Sequence, residues 1–342
     1  MKVWQGYHRG IDLGGWFSQC DYTEDRYNNF ITEPDFAVIA GWGLDHVRLP
    51  YDYDLLEDAD GNRRESGYER LQNAIDWSRK YGLNLILDLH KTFGFSFDVD
   101  EGESGFFENE AYQERFYALW ESVARRFGCY EDTVAFELLN EVTDKEFCEA
   151  WNRISTECIR RIRAICPTIR ILVGGYYNNS VEAVKDLAMP YDENIVYNFH
   201  CYEPIVFTHQ GAGWVPGMDL DFREPIDASY AKIKADTKAQ APTASMDLSI
   251  WPDEECLSSK FFESIFEEAV RVAEERNVPL YCGEYGVIDR ADPQDTVEWY
   301  KMINQAFEKY GIGRACWTYR EMDFGVADAR MDGVRDELLK YL

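Results

Sequence analysis

A single (β/α)8 barrel over residues 1–342 is the fold that the sequence predicts, and three observations predict it. Eight short, apolar, β-rich runs recur along the chain, helical periodicities lie between them, and no Gly-rich phosphate loop follows any run. Repeated strand–helix alternation calls for parallel strands joined by right-handed crossovers. Eight such units imply a closed barrel rather than an open doubly wound sheet. The length is compatible with one unit, since α/β barrels commonly run past ~250 residues as one domain.

The strands are expected at 10–13, 45–49, 84–90, 134–140, 170–174, 195–202, 279–285 and 314–319, each bounded by turn residues or polar loops. Three helical stripes stand out between them. Tyr112, Phe116, Leu119, Val123 and Phe127 form one; Phe147, Trp151, Ile154, Cys158 and Ile162 a second; Trp299, Met302, Ile303, Ala306 and Tyr310 a third. One connection breaks the rhythm. Residues 203–256, after the sixth strand, are rich in Gly, Pro and aromatics, and a structureless loop of that length is improbable. The segment reads as an inserted subdomain over the active-site cleft.

A net charge of −28 argues against nucleic acid or an anionic membrane as partner, since both need basic patches. It suits a neutral substrate. The nine cysteines contain no Cys-x-x-Cys, and Cys158, Cys201, Cys282 and Cys316 fall inside expected elements. They read as small buried hydrophobes in a reducing compartment. No apolar run resembles a signal peptide or a membrane span, so the expectation is a cytoplasmic protein as the sequence stands, or an extracellular one if a signal was trimmed.

The polar residues cluster where a barrel carries its chemistry, at the C-terminal ends of its strands. Strand two supplies Arg48, strand three His90, strand four Asn140 and Glu141, strand six His200 and Tyr202, strand seven Glu284, and strand eight Trp317. This inventory fits cleavage of a glycosidic bond. One carboxyl protonates the leaving oxygen, and a second attacks the anomeric carbon or activates water. Strands four and seven lie across the barrel, so Glu141 as acid/base and Glu284 as nucleophile can reach the roughly 5–5.5 Å separation of a retaining enzyme. Arg48 would keep Glu284 ionised, leaving Glu141 protonated. Tyr202 can donate to Glu284, Asn140 can bind a sugar hydroxyl, and His90 and His200 can tune the carboxylates. Trp317 offers a face to a pyranose ring. Glu137 shares strand parity with Glu141 and needs a buried partner, for which Arg48 is the candidate. Trp16, Tyr22, Tyr51, Trp214 and Trp251 are further stacking candidates, with Trp214 foremost because it follows Gly211 and Gly213 in the insertion. With five histidines and no His-x-His after strand one, a metal-dependent hydrolase fits poorly, and no metal or other cofactor is expected. A non-catalytic glycan-binding barrel would need neither glutamate.

These residues resemble glycoside hydrolase family 5, the cellulase family of clan A. The likeness lies in Arg48 of His-Val-Arg-Leu-Pro, His90 of Leu-Asp-Leu-His, Asn140-Glu141 after Phe-Glu-Leu-Leu, His200 and Tyr202 of Asn-Phe-His-Cys-Tyr, Glu284 of Cys-Gly-Glu-Tyr-Gly, and Trp317. The chain looks most similar to clostridial cellulases with a β6–α6 subdomain. That resemblance implies a retaining endo-β-1,4-glucanase, also active on mixed β-1,3-1,4 linkages, acting on a β-glucan oligo- or polysaccharide without a required protein partner. The usual Asn-Glu-Pro is Asn140-Glu141-Val142 here, so the acid/base glutamate lacks its following proline. The opening Arg9-Gly10-Ile11-Asp12-Leu13-Gly14-Gly15-Trp16 also resembles exo-β-1,3-glucanases of the same family. Exo-β-1,3-glucanase and mannan-degrading activities stay open beside the β-1,4 reading.

Overall fold

The computed structural model describes residues 1–98, 101–244 and 248–342. Eight parallel strands close into a barrel in chain order. They are β1 (Arg9–Asp12), β2 (His46–Asp52), β3 (Asn84–Lys91), β4 (Val134–Glu137), β5 (Arg170–Val173), β6 (Ile195–Cys201), β7 (Leu280–Tyr285) and β8 (Gly313–Cys316). All eight expected strands are present, with shifted ends. β2 runs on to Asp52, so Arg48 sits in mid-strand rather than at its end. β4 and β8 stop short, which leaves Asn140, Glu141 and Trp317 in the segments just beyond them.

The principal helices are α1 (Glu33–Gly41), α2 (Glu65–Lys80), α3 (Glu110–Phe127), α4 (Cys148–Arg163), α5 (Tyr230–Gln240), α6 (Ser259–Glu275) and α7 (Pro293–Tyr310). The expected stripes explain their seating. α4 buries Trp151, Ile154, Cys158 and Ile162 on one face. α7 starts at Pro293 with the Asp292 side chain accepting from the backbone of Gln294 and Asp295, and it stops at Gly311 in the left-handed region. The fifth crossover differs, carrying no long helix but a short helical turn, Tyr176–Asn179, and a 3-10 helix, Val181–Asp186. Between β6 and α6 the long connection contains a short helix, Ile205–Thr208, then α5, and a bridge pairs Ser229 with Cys256. All nine cysteines are free, and the four expected to be buried are so. Among the described residues no helix is long and apolar enough to cross a membrane.

The barrel interior explains where the site lies. Inward side chains step by two along each strand. The lower layer is apolar: Ile86, Ala135, Leu172, Val196, Tyr281 and Ala315 pack with Trp4 and Tyr7, whose rings stack at 3.9 Å. One step up, the same strands carry Asp88, Glu137 and Asn198, with Asp12 and Arg48 beside them, all buried. Apart from His46, which meets the Tyr281 hydroxyl at 2.6 Å, the lower layer is apolar and closes the bottom, and the carboxylate cluster lies in the C-terminal half.

Trp4 closes that lower layer. Trp4→Ala is expected to lower unfolding stability by about 3–5 kcal/mol, the usual cost of truncating a large buried side chain. Guanidinium unfolding checks this; an unchanged midpoint would show that the layer closes without it.

Candidate active site

The upper layer is built on one side chain. Arg48 is fully buried, and each of its five N–H groups has an acceptor. Nε and Nη2 grip the two oxygens of Glu137 at 2.7 and 2.9 Å. Nη1 donates to Asp12 at 3.0 Å and to Glu284 Oε1 at 2.8 Å. Nη2 also donates to Asn140 Oδ1 at 2.9 Å and stands 3.0 Å from Asp88 Oδ2. Four carboxylates thus share one cation, and they cannot all be charged. Burial drives the protonation, lifting the carboxyls of Asp12 and Glu137 above the usual range and that of Asp88 to about 7. Glu284 accepts a second hydrogen bond, from the Tyr202 hydroxyl at 3.0 Å.

Glu141 stands across from it. His200 Nδ1 lies 2.8 Å from its Oε1, and Asn178 donates to its Oε2 at 3.0 Å. Burial pushes the Glu141 carboxyl up to about 7, against the pull of Asn178 and Arg48. Burial also lowers His200 to about 4, so this imidazole is neutral around neutral pH. Glu141 has φ +41°, a left-handed conformation that side chains other than glycine adopt at a cost. One oxygen of Glu141, one of Glu284 and one His200 nitrogen all lie within 4.8 Å of each other. Three such groups could also ligate a cation, but only by giving up the hydrogen bond between His200 and Glu141.

Local structure aims these groups. A register shift between β6 and β7 follows Phe199, pairing His200 with Glu284, so a bulge turns the glutamate toward the barrel axis. His90 Nδ1 meets Asp88 Oδ2 at 2.5 Å, and the His90 ring lies parallel to Trp317, 5.8 Å between centroids. Gly14 is required beneath that tryptophan, because a Cβ there would stand 2.8 Å from its ring. Arg48, His90, Asn140, Glu141, His200, Tyr202, Glu284 and Trp317 therefore form one connected cluster at the C-terminal mouth.

Residues 12–323 match the family model for cellulase, glycosyl hydrolase family 5. The chain belongs to glycoside hydrolase family 5. It is 48% identical over 317 residues to cellodextrinase A of Ruminococcus flavefaciens, covering 93% of this chain and 87% of that protein. It is 36% identical to endoglucanase C of Acetivibrio thermocellus over 98% of both. Among solved structures, Thermotoga maritima Cel5A in complex with mannotriose superposes with a TM-score of 0.76 at 25% identity, over 98% of this chain and 97% of that one.

The stacking candidates of this family 5 hydrolase divide. Trp16 and Tyr51 are buried, contrary to expectation; Trp16 stacks on Phe17 and Trp77 within the core, out of reach of a ligand. Trp251 packs on Tyr230. Tyr22 is exposed, and its hydroxyl donates to Asp52. Trp214 is 53% exposed and lies outside the cluster, edge-on to His209, which is edge-on to Tyr202. The expected pairing of Glu137 with Arg48 is present. Sequence reasoning passed over Asp12, Asp88 and Asn178. Asp88 had a signal, since it shares inward parity with His90 two residues on. Asn178, in the turn after β5, had none.

The protonation of Asp88 has a testable sign. The folded state keeps its proton up to about 7, whereas the unfolded chain releases it near the ordinary 3.8. Between those values the folded state binds more protons, so rising pH erodes stability. Asp88→Asn lacks this term. Its stability relative to the parent should climb from about pH 4 to about pH 7, as followed by chemical denaturation. A difference independent of pH would mean that Asp88 titrates normally.

Proposed function

We propose that this family 5 hydrolase cleaves β-1,4-glucosidic bonds in β-glucans, including mixed β-1,3-1,4-glucans and their oligosaccharides, by double displacement with retention of configuration. The observation that carries the reading is the approach of a Glu141 oxygen and a Glu284 oxygen to within 4.8 Å. So short an approach suits the roughly 5–5.5 Å carboxyl separation of retaining enzymes better than the roughly 6.5–9.5 Å of inverting ones.

In the first step a Glu284 oxygen bonds to the anomeric carbon as the glycosidic C–O bond breaks. The departing oxygen takes the proton of Glu141. Arg48 and Tyr202 hold Glu284 in line for this attack. The carboxyl of Glu141, raised to about 7, supplies its proton near neutral pH. Ester formation then removes the charge of Glu284, so Glu141 ionises more readily and serves as the base that takes a proton from water. Water attacks the same carbon, and Glu284 leaves as carboxylate. Asn140 accepts from Arg48 through its oxygen, while its Nδ2 has no partner among the described residues, which suits donation to a sugar hydroxyl. Trp317 supports the ring at the cleavage point. The described residues of the 203–256 insertion form the outer wall of the cleft, where exposed Trp214 stacks on a more distant sugar. The β-1,4 choice is supported by the names of the cellodextrinase and endoglucanase relatives.

Proton NMR of fresh cellopentaose digests is the test. The new reducing end should appear first as the β-anomer and mutarotate afterwards; initial α-anomer would contradict the mechanism. Parallel digestion of β-1,4-glucan, mixed-linkage glucan, β-1,3-glucan and mannan should favour the first two. Faster release from β-1,3-glucan or mannan would overturn the linkage assignment.

A further inference from the structure

The segment after β5 contains an unusual run. Tyr177, Asn178 and Asn179 have φ of 50°, 55° and 56°, three consecutive non-glycine residues in the left-handed region. Asparagine tolerates that region better than most side chains; tyrosine does not. The run is pinned to the chain just after Glu141, where Tyr177 N donates to Thr143 O and Asn178 N to Val142 O, both at 3.0 Å. Both asparagines bear on Glu141. Asn178 Nδ2 donates to its Oε2 at 3.0 Å. Asn179 Nδ2 faces His200 Nε2 at 3.4 Å, and donation there places the ring proton on Nδ1, which faces Glu141 Oε1 at 2.8 Å.

We infer that the left-handed turn Tyr177-Asn178-Asn179 positions Glu141 and favours its ionised form, with Asn178 as the direct donor and Asn179 acting through His200. The inference rests on Glu141 being the acid/base group. Two donors, one on each carboxyl oxygen, describe the base needed in the second step. The other groups facing Glu141 come from the strands and their ends: His200 from β6 and Tyr202 just after it, Glu284 from β7, Arg48 from β2, Asp88 from β3 and Glu137 from β4. Burial raises the Glu141 carboxyl most, and the Asn178 hydrogen bond is the largest influence opposing it, ahead of Arg48. Without Asn178 the proton is held more tightly. Proton donation then persists to higher pH, and proton removal from water slows.

Two variants separate donor from backbone. Asn178→Gly removes the donor and suits the positive φ; Asn178→Asp keeps the shape but presents an acceptor. In both, the alkaline limb of kcat/KM on a cello-oligosaccharide should move up by about half a pH unit or more, further in Asn178→Asp. On an activated aryl glycoside limited by the second step, kcat should fall about 3- to 10-fold and KM should fall with it. A purely structural role would lower the thermal midpoint and move neither. An alkaline limb that stays in place in both variants overturns the inference, whatever happens to stability. The acid/base reading is checked separately: azide should restore turnover of the activated substrate by Glu141→Ala and form a β-glycosyl azide. Absence of that rescue would remove Glu141 from its role, even if the limb shifted.

Discussion

The guanidinium of Arg48 lies at the centre of the barrel with every N–H group engaged, and carboxylates from β1, β3, β4 and β7 converge on it. Its single charge cannot balance Asp12, Asp88, Glu137 and Glu284 together, so the layer is stable only if protons are distributed among them. The geometry sets that distribution. Glu137 is gripped at both oxygens, Asp88 is shared with His90, and Glu284 alone also receives a hydroxyl from beyond the layer, that of Tyr202. A lysine, a point charge with three donors, could not hold so many partners in fixed directions. Breaking such a buried network from one side is costly, which makes the arrangement rigid as well as charged.

Reactivity follows from position relative to that layer. Glu284 is tied into it through Arg48 and held from the other side by Tyr202. Glu141 stands outside it, in a strained backbone conformation, with an uncharged histidine and an asparagine on its two oxygens and its carboxyl raised to about 7. Two glutamates of equal intrinsic acidity thus meet different surroundings, as the two tasks proposed for them require. The apolar floor beneath, closed by Trp4 and Tyr7, keeps water from the buried charges.

Much of this was legible in the sequence because strand periodicity and barrel chemistry are both local signals. The eight strands showed as apolar β-rich runs, and the reactive side chains lay at or just past their C-terminal ends. Arg48 and Glu137 were paired because strand parity turns Glu137 inward and a buried carboxylate needs a partner. Asp12 and Asp88 were passed over because, within apolar runs, a buried acid reads as a strand residue until its partner is known. Two aromatic candidates failed for a related reason: Trp16 and Tyr51 follow expected strand ends as a ligand platform would, but packing decides whether a ring faces sugar or core. Asn178 was invisible, since its role depends on backbone torsions in a turn that composition does not encode.

One buried cation shared by four carboxylates leaves protons on some of them. Neutron diffraction from deuterated crystals at about pH 6, below the value near 7 reached by Glu141, tests it most directly. Deuterons are expected on the carboxyls of Asp12 and Glu141. Bare carboxylates at both positions would overturn the shared-proton arrangement.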